Sequence, residues 1–195
     1  MAIKGNVEQF MPKELNQIRN PELRACVQGF FDTVVPNYFW RLPASSTGKY
    51  HPIADAGDGG LVRHTRMAVA FGVDFVRIED YAAADPDMVI AALMMHDTFK
   101  NGVAQTPYTV QDHGLIAAEQ WMSYMVDICS HNPEISPETR STVKEIADAI
   151  TWHMGQWSGV RIEEECGEMP RTALVKAVQL ADYASSRKCI DMFSA

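Results

Sequence analysis

Asp85-Pro86-Asp87-Met88-Val89-Ile90-Ala91-Ala92-Leu93-Met94-Met95-His96-Asp97 is the stretch on which the fold turns. Asp85 is a favoured N-cap residue, and a proline at the first helical position has no useful N–H to lose. Eight apolar residues follow, Met88 to Met95, with no polar interruption. The helix these residues form is almost wholly apolar. The run is too short to cross a bilayer, which takes about 20 residues. It stops on two ionisable groups, and burying them is expensive unless something satisfies them. Two readings fit that dyad. In one, His96 complements the helix C-terminal dipole and Asp97 caps the next turn. In the other, a metal takes a neutral imidazole and a carboxylate as ligands.

Outward from this helix, no segment sustains the polar–apolar alternation of a strand, whereas helical spacing recurs. Pro21 opens a segment with Leu23, Val27, Phe30, Phe31 and Val34 on one side, and Pro36 ends or kinks it. Residues 43–58 are rich in Ser, Gly, Pro and Asp and read as loop. From Gly60 to about Ile78, one face carries Leu61, His64, Ala68, Phe71 and Phe75. Thr109-Val110-Gln111-Asp112 resembles a capping signal before a helix reaching about Ser130. Ser136-Pro137 starts a helix that ends near His153, residues 154–170 read as loop, and a last helix covers about 171–189. The expectation is one all-α domain over residues 1–195, with 1–20 as an N-terminal appendage and a core from about 59 to 190.

Composition sets the outer bounds. The 195 residues are 47% hydrophobic and 22% charged, ordinary for a globular chain. A domain of this size hides roughly 70% of its unfolded surface and needs no staples. The net charge of −8 repels long nucleic acid and anionic membranes at range. A small phosphorylated partner stays admissible if cations gather in one cleft. Cys26, Cys129, Cys166 and Cys189 form no C-x-x-C pair and read as free thiols of a reducing compartment. The start, MAIKGNVEQF, lacks the apolar core of a signal peptide, so a cytoplasmic protein is expected. The acidic charge and several aromatics permit a homo-oligomer without arguing for one.

The remaining histidines bear on the dyad. His64 shares its face with Leu61, Ala68 and Phe71, and His153 shares one with Ile146, Ala149 and Ile150. Asp182 follows Val175 and Val178, and His113 opens its helix beside Ile116 and Ala117. One such histidine is usually a hydrogen-bonded core residue. Several helices each pointing one inward is a different matter, because every unpaired group would cost about 1–3 kcal/mol. Convergence on metal ions removes the penalty for all of them together.

In chain order the set is His64, His96-Asp97, His113, His153 and Asp182. Over about residues 19–190 it resembles the HD-domain metal-dependent phosphohydrolase superfamily in its six-ligand, two-metal form. His96-Asp97-Thr98-Phe99-Lys100 is similar to the superfamily's HDxxK. Gly59-Gly60-Leu61-Val62-Arg63-His64-Thr65 resembles the GGLxxHT stretch of the HD-domain 3′–5′ exoribonuclease family. Ile18-Arg19-Asn20-Pro21-Glu22-Leu23-Arg24 and Leu42-Pro43-Ala44 are similar to that family's lead-in. Trp152-His153-Met154-Gly155 and Leu180-Ala181-Asp182-Tyr183 stand where its last two ligand motifs do. Three features depart from it. Asp55 to Asp58 replace a histidine pair, with only His51 near; Met154 replaces a second histidine; and the family's nucleic-acid-binding module has no counterpart.

The resemblance implies an HD-type helical bundle with two divalent transition-metal ions, Mn, Fe, Co, Ni or Zn. His64, His96, Asp97 and Asp182 would hold one ion, and Asp97 would bridge to another held by His113 and His153. A hydroxide made between them would attack a phosphate ester of a nucleotide, cyclic nucleotide or short oligonucleotide. Asp97 and Lys100 would be the catalytic residues, with Lys100 stabilising charge on the phosphoryl oxygens; the plain alternative for it is a solvated surface lysine. Candidate substrate contacts are His51, Lys100, Gln156 and Arg187, with Lys49, Trp157, Arg161 and Lys188 in the same loops and helix end. For Trp157 the choice lies between stacking on a base and anchoring its own loop. Two other functional readings use the same layout: an HD-type di-iron oxygenase and a non-catalytic HD-like binding module. Lys100 and the GGLxxHT stretch favour phosphate chemistry over oxygen chemistry.

Overall fold

The computed structural model describes residues 5–45, 51–78, 81–158, 162 and 165–187. Its regular structure is helical, with no strand among the described residues. The α-helices are α1 (Val7–Phe10), α2 (Pro12–Gln17), α3 (Pro21–Thr33), α4 (Gly60–Phe75), α5 (Pro86–Met95), α6 (His113–His131), α7 (Pro137–Thr151) and α8 (Ala173–Ser185). Short 3₁₀ turns cover Asn37–Trp40, Ile53–Ala56 and Gly155–Trp157. No helix among the described residues is long and apolar enough to cross a membrane.

The apolar helix α5 is the axis of the bundle. Every residue from Met88 to Met95 is buried, and α2, α3, α4, α7 and α8 all pack against it. Its start is fixed by Asp85, whose carboxylate accepts from the N–H groups of Asp87 and Met88. Its C-terminal end therefore delivers His96 and Asp97 into the middle of the molecule.

The helix starts are tied to one another. Asp87 accepts from the N–H groups of Arg19 and Asn20, at 3.0 and 2.7 Å. Asn20 caps α3 through Glu22 and Leu23. Glu22 in turn accepts from Ser136 N–H at 3.0 Å and from the Ser136 hydroxyl, while Ser136 caps α7 through Thr139 N–H. The Ser136 hydroxyl, then Thr139, hold the Glu22 carboxyl below its usual 4.5. A depressed carboxylate stabilises the fold at pH above its unfolded value and loses that contribution as pH falls through the folded one. The acid limb of unfolding below about pH 4.5 is therefore expected to be shallower in Glu22→Gln, read by circular dichroism. An unchanged limb would remove this link.

The described part of the N-terminal stretch, residues 5–20, packs into the core and does not stand apart as an appendage. Val7, Met11, Leu15 and Ile18 are all buried in the common core, and Phe10 stacks on Trp40 with centroids 5.2 Å apart. Their spacing is helical, but Pro12 divides the row into two short helices, α1 and α2. The end of α4 also differs from the expected Ile78, and α7 stops before His153. The expected cap before α6 is replaced. Asp112 makes no side-chain cap bond, and the helix entry is held instead by Val110 N–H donating to Lys100 O at 2.9 Å. Residues 188 and 189, at the expected end of the last helix, lie outside the described residues.

The Gly59-Gly60 pair opens α4 for two separate reasons. Gly59 has φ +69°, a left-handed conformation that side chains disfavour. A Cβ on Gly60 would lie 1.9 Å from the Asp55 carbonyl oxygen, so only glycine lets the preceding turn pass this close. That crossing sets where α4, and with it His64, enters the core.

Candidate metal centre

Five helices supply the cluster. His64 comes from the second turn of α4, His96 and Asp97 from the end of α5, and His113 from the first position of α6. His153 follows α7 by two residues, and Asp182 lies in the last turn of α8. Neighbouring pairs among these helices are in contact, α4 with α8 and α6 with α7 most extensively. His64, His96, Asp97, His113 and His153 are all buried.

The donor atoms form two groups that meet on Asp97. In one, His64 Nε2 lies 3.0 Å from Asp182 Oδ1 and 3.3 Å from His96 Nε2. Asp97 Oδ2 stands 3.5 Å from each of those two imidazole nitrogens. In the other, His113 Nε2 lies 2.9 Å from Asp97 Oδ1 and 3.1 Å from His153 Nε2, which is itself 3.7 Å from Asp97 Oδ1. The sets His64–His96–Asp182 and His96–Asp97–His153 each have ligand atoms within 4.8 Å of one another. These groups could hold a metal ion.

The far side of each ring decides what these nitrogens are. His96 Nδ1 donates to Leu93 O at 2.6 Å, His113 Nδ1 to Val110 O at 2.6 Å, and His153 Nδ1 to Ile150 O at 2.7 Å. A carbonyl can only accept, so Nδ1 carries the proton and Nε2 of the neutral ring is bare. His64 Nδ1 meets Ser185 Oγ at 3.2 Å. Ser185 spends its hydroxyl hydrogen on Asp182 O at 2.8 Å, so it accepts from His64. All four rings thus turn lone pairs inward, against carboxylate oxygens that also only accept. Asp97 Oδ1 has no hydrogen-bond donor. Lone pairs about 3 Å apart repel, and a cation between them removes the conflict. The donor set therefore fits a metal ion, in both groups.

The two carboxylates are held ionised, while the imidazoles are pulled in opposite directions: His153 is kept neutral and His96, facing two carboxylates, is drawn toward its charged form. Burial works to raise the pKa of Asp97, but Lys100, His96 and His113 outweigh it and hold the carboxyl well below 3.8. Asp182 is likewise held down, against burial, by His64 and His96. Burial opposes charge on His96, yet Asp97 and Asp182 lift its pKa above 6.5. Burial, with His96 and His113 adding to it, pushes His153 down to about 3.

A cavity of about 400 Å³ opens on the cluster. Asp97, His113, His153, Asp182 and Lys100 line it together with His51, Met154, Trp157, Gln179, Tyr183, Ser186 and Arg187. Lys100 Nζ donates to Asp97 Oδ2 at 2.5 Å and is largely buried, so it is not a solvated surface lysine. His51 stands edge-on to His64, centroids 4.9 Å apart, and burial, with His64 and Lys100 next, drives its pKa to about 3. Arg187 reaches the cavity with its guanidinium over the Tyr183 ring. Gln156 is exposed and lines a neighbouring hollow rather than this cavity. Lys49, Arg161 and Lys188 lie outside the described residues.

The sequence reading missed Ser185, Gln179 and Tyr183. Ser185 stands one turn after Asp182, a spacing that is a usable signal for a side chain backing the same site. The positions of the other two depend on how α8 meets the Gly155–Trp157 turn. No protein-family model, curated protein or solved structure matches the chain.

Proposed function

We propose that this protein is a metal-dependent phosphohydrolase or phosphodiesterase of HD type, acting on a nucleotide, cyclic nucleotide or short oligonucleotide. The observation that carries the reading is the two-sided use of Asp97. Its Oδ2 faces His64 and His96, and its Oδ1 faces His113 and His153. One carboxylate shared in this way suits two divalent transition-metal ions. Mixed imidazole and carboxylate donors favour Mn, Fe, Co, Ni or Zn over Mg. When bound, such a pair clamps a phosphate and generates a nucleophile from water near neutral pH.

The chain's own residues do the rest. The backbone carbonyls of Leu93, Val110 and Ile150 and the Ser185 hydroxyl fix each ring with Nε2 inward. Asp97 and Asp182 stay ionised through the neutral range and supply the negative charge that holds cations. Lys100 puts an ammonium on the cavity wall beside Asp97, where it stabilises charge developing on phosphoryl oxygens.

The test begins with elemental analysis of the purified protein, then turnover of bis-p-nitrophenyl phosphate and a panel of nucleotides and dinucleotides. Two equivalents of transition metal and release of p-nitrophenol are expected. Lys100→Ala is expected to keep the metals and lose about 10²–10³-fold in turnover. Oxygen uptake without ester cleavage would move the site to di-iron oxygenase chemistry. Silence with every metal would leave a binding module.

A further inference from the structure

Two of the cavity's lining residues are large aromatics with open surface. Trp157 is 58% exposed and Tyr183 is 41% exposed. Their rings lie 5.7 Å apart at an interplanar angle of 8°, a stacked pair. The Arg187 guanidinium sits 4.2 Å from the Tyr183 centroid, and its Nη2 donates to Ser186 Oγ at 2.8 Å. Both rings line the same cavity as the Asp97 cluster and stand near its residues in the chain. Tyr183 follows Asp182 directly on α8, and Trp157 lies in the 3₁₀ turn Gly155–Trp157, four residues after His153. That turn is clamped against α8: Gly155 has φ +55°, and a Cβ there would fall 1.3 Å from Gln179 Nε2.

A tryptophan that anchored its own loop would bury its ring. The other tryptophans, Trp40, Trp121 and Trp152, do so. Trp157 instead offers ring surface to solvent at the edge of a site lined with phosphate-compatible groups. Every nucleobase has a π-face, and stacking on an aromatic side chain is the common way to hold one without reading its identity. A second hollow, of about 460 Å³, shares Trp157, Gln179 and Tyr183, so there is room beside the shelf for the nucleoside portion of a ligand.

We infer that Trp157, backed by Tyr183, is the shelf on which the substrate's base stacks while its phosphate lies at the Asp97 cluster. This rests on the phosphohydrolase reading and deepens it: affinity comes from a base as well as from phosphate, which favours nucleoside phosphates over sugar phosphates.

The tryptophan inventory gives a direct probe. With the other three buried, quenching of tryptophan emission by a ligand reports chiefly on Trp157. The Mn²⁺-loaded full chain is titrated with AMP and with ribose 5-phosphate, by fluorescence and by calorimetry. AMP is expected to quench and to bind about tenfold or more tightly than ribose 5-phosphate. Trp157→Ala is expected to lose that advantage, and Trp157→Phe to keep most of it. Equal affinities for the two ligands, an unchanged AMP affinity in Trp157→Ala, or no AMP binding would overturn the shelf. Base-dependent binding with no cleavage of bis-p-nitrophenyl phosphate under any metal would keep the shelf and sink the hydrolase. Cleavage with no base preference would do the reverse.

Discussion

Asp97→Ala is expected to abolish turnover and to bring the metal content of the purified protein from two equivalents to background. Its carboxylate faces both groups of imidazoles, with Oδ2 3.5 Å from His64 and His96 and Oδ1 2.9 Å from His113. Its removal leaves two separate pairs of inward lone pairs, and only one of them keeps a carboxylate, Asp182. The loss in rate should exceed the about 10²–10³-fold that follows removal of a single stabilising donor. The fold should persist, because α5 is held by eight buried apolar residues and not by the dyad. The melting temperature of the metal-supplied protein should fall, since a ligand that binds only the folded state no longer contributes. Elemental analysis, circular dichroism and phosphodiester turnover on one preparation read all three. Full activity in this variant would end the metal-hydrolase reading; metal retention with lost activity would confine Asp97 to the chemistry alone.

The helical class and the membership of the cluster were legible for the same reason. Apolar faces at helical spacing must pack together, and ionisable groups on those faces must meet something. His64 and Asp182 could be placed by counting three and four residues along their helices, and His153 by carrying the count of α7 two residues past its end. The N-terminal helices escaped because Pro12 breaks the Val7, Met11, Leu15, Ile18 row, and a four-residue helix such as α1 has no period to detect. Ring tautomers escaped too. They depend on where the carbonyls of Leu93, Val110 and Ile150 lie, a matter of local backbone path. The pairing of Trp157 with Tyr183 joins two segments 26 positions apart in the chain and rests on how Gly155 meets Gln179. Sequence spacing carries no trace of such a contact.

Gly114→Ala separates the two halves of the centre. Gly114 follows His113 at the start of α6, where this helix crosses the end of α7. A Cβ at this position would lie 2.8 Å from the Ile150 carbonyl oxygen and 2.9 Å from His153 Nδ1. Those two atoms are the partners of the bond that orients His153, at 2.7 Å. The added methyl therefore pushes at once on the acceptor and the ring, and its own chain neighbour is His113. Neither obstacle is the far end of a flexible side chain, so α6 must move away from α7. Overpacking of this kind costs about 1–3 kcal/mol. The structural damage is local to His113 and His153, whereas His64, His96 and Asp182 sit on α4, α5 and α8. The variant is therefore expected to bind one equivalent of metal where the parent binds two, to melt at a lower temperature, and to lose nearly all turnover. Two equivalents with normal turnover would show that the α6–α7 crossing has slack that the close contact at Ile150 denies. Loss of both equivalents would show that the groups bind as one unit through Asp97 and not as two sites in series.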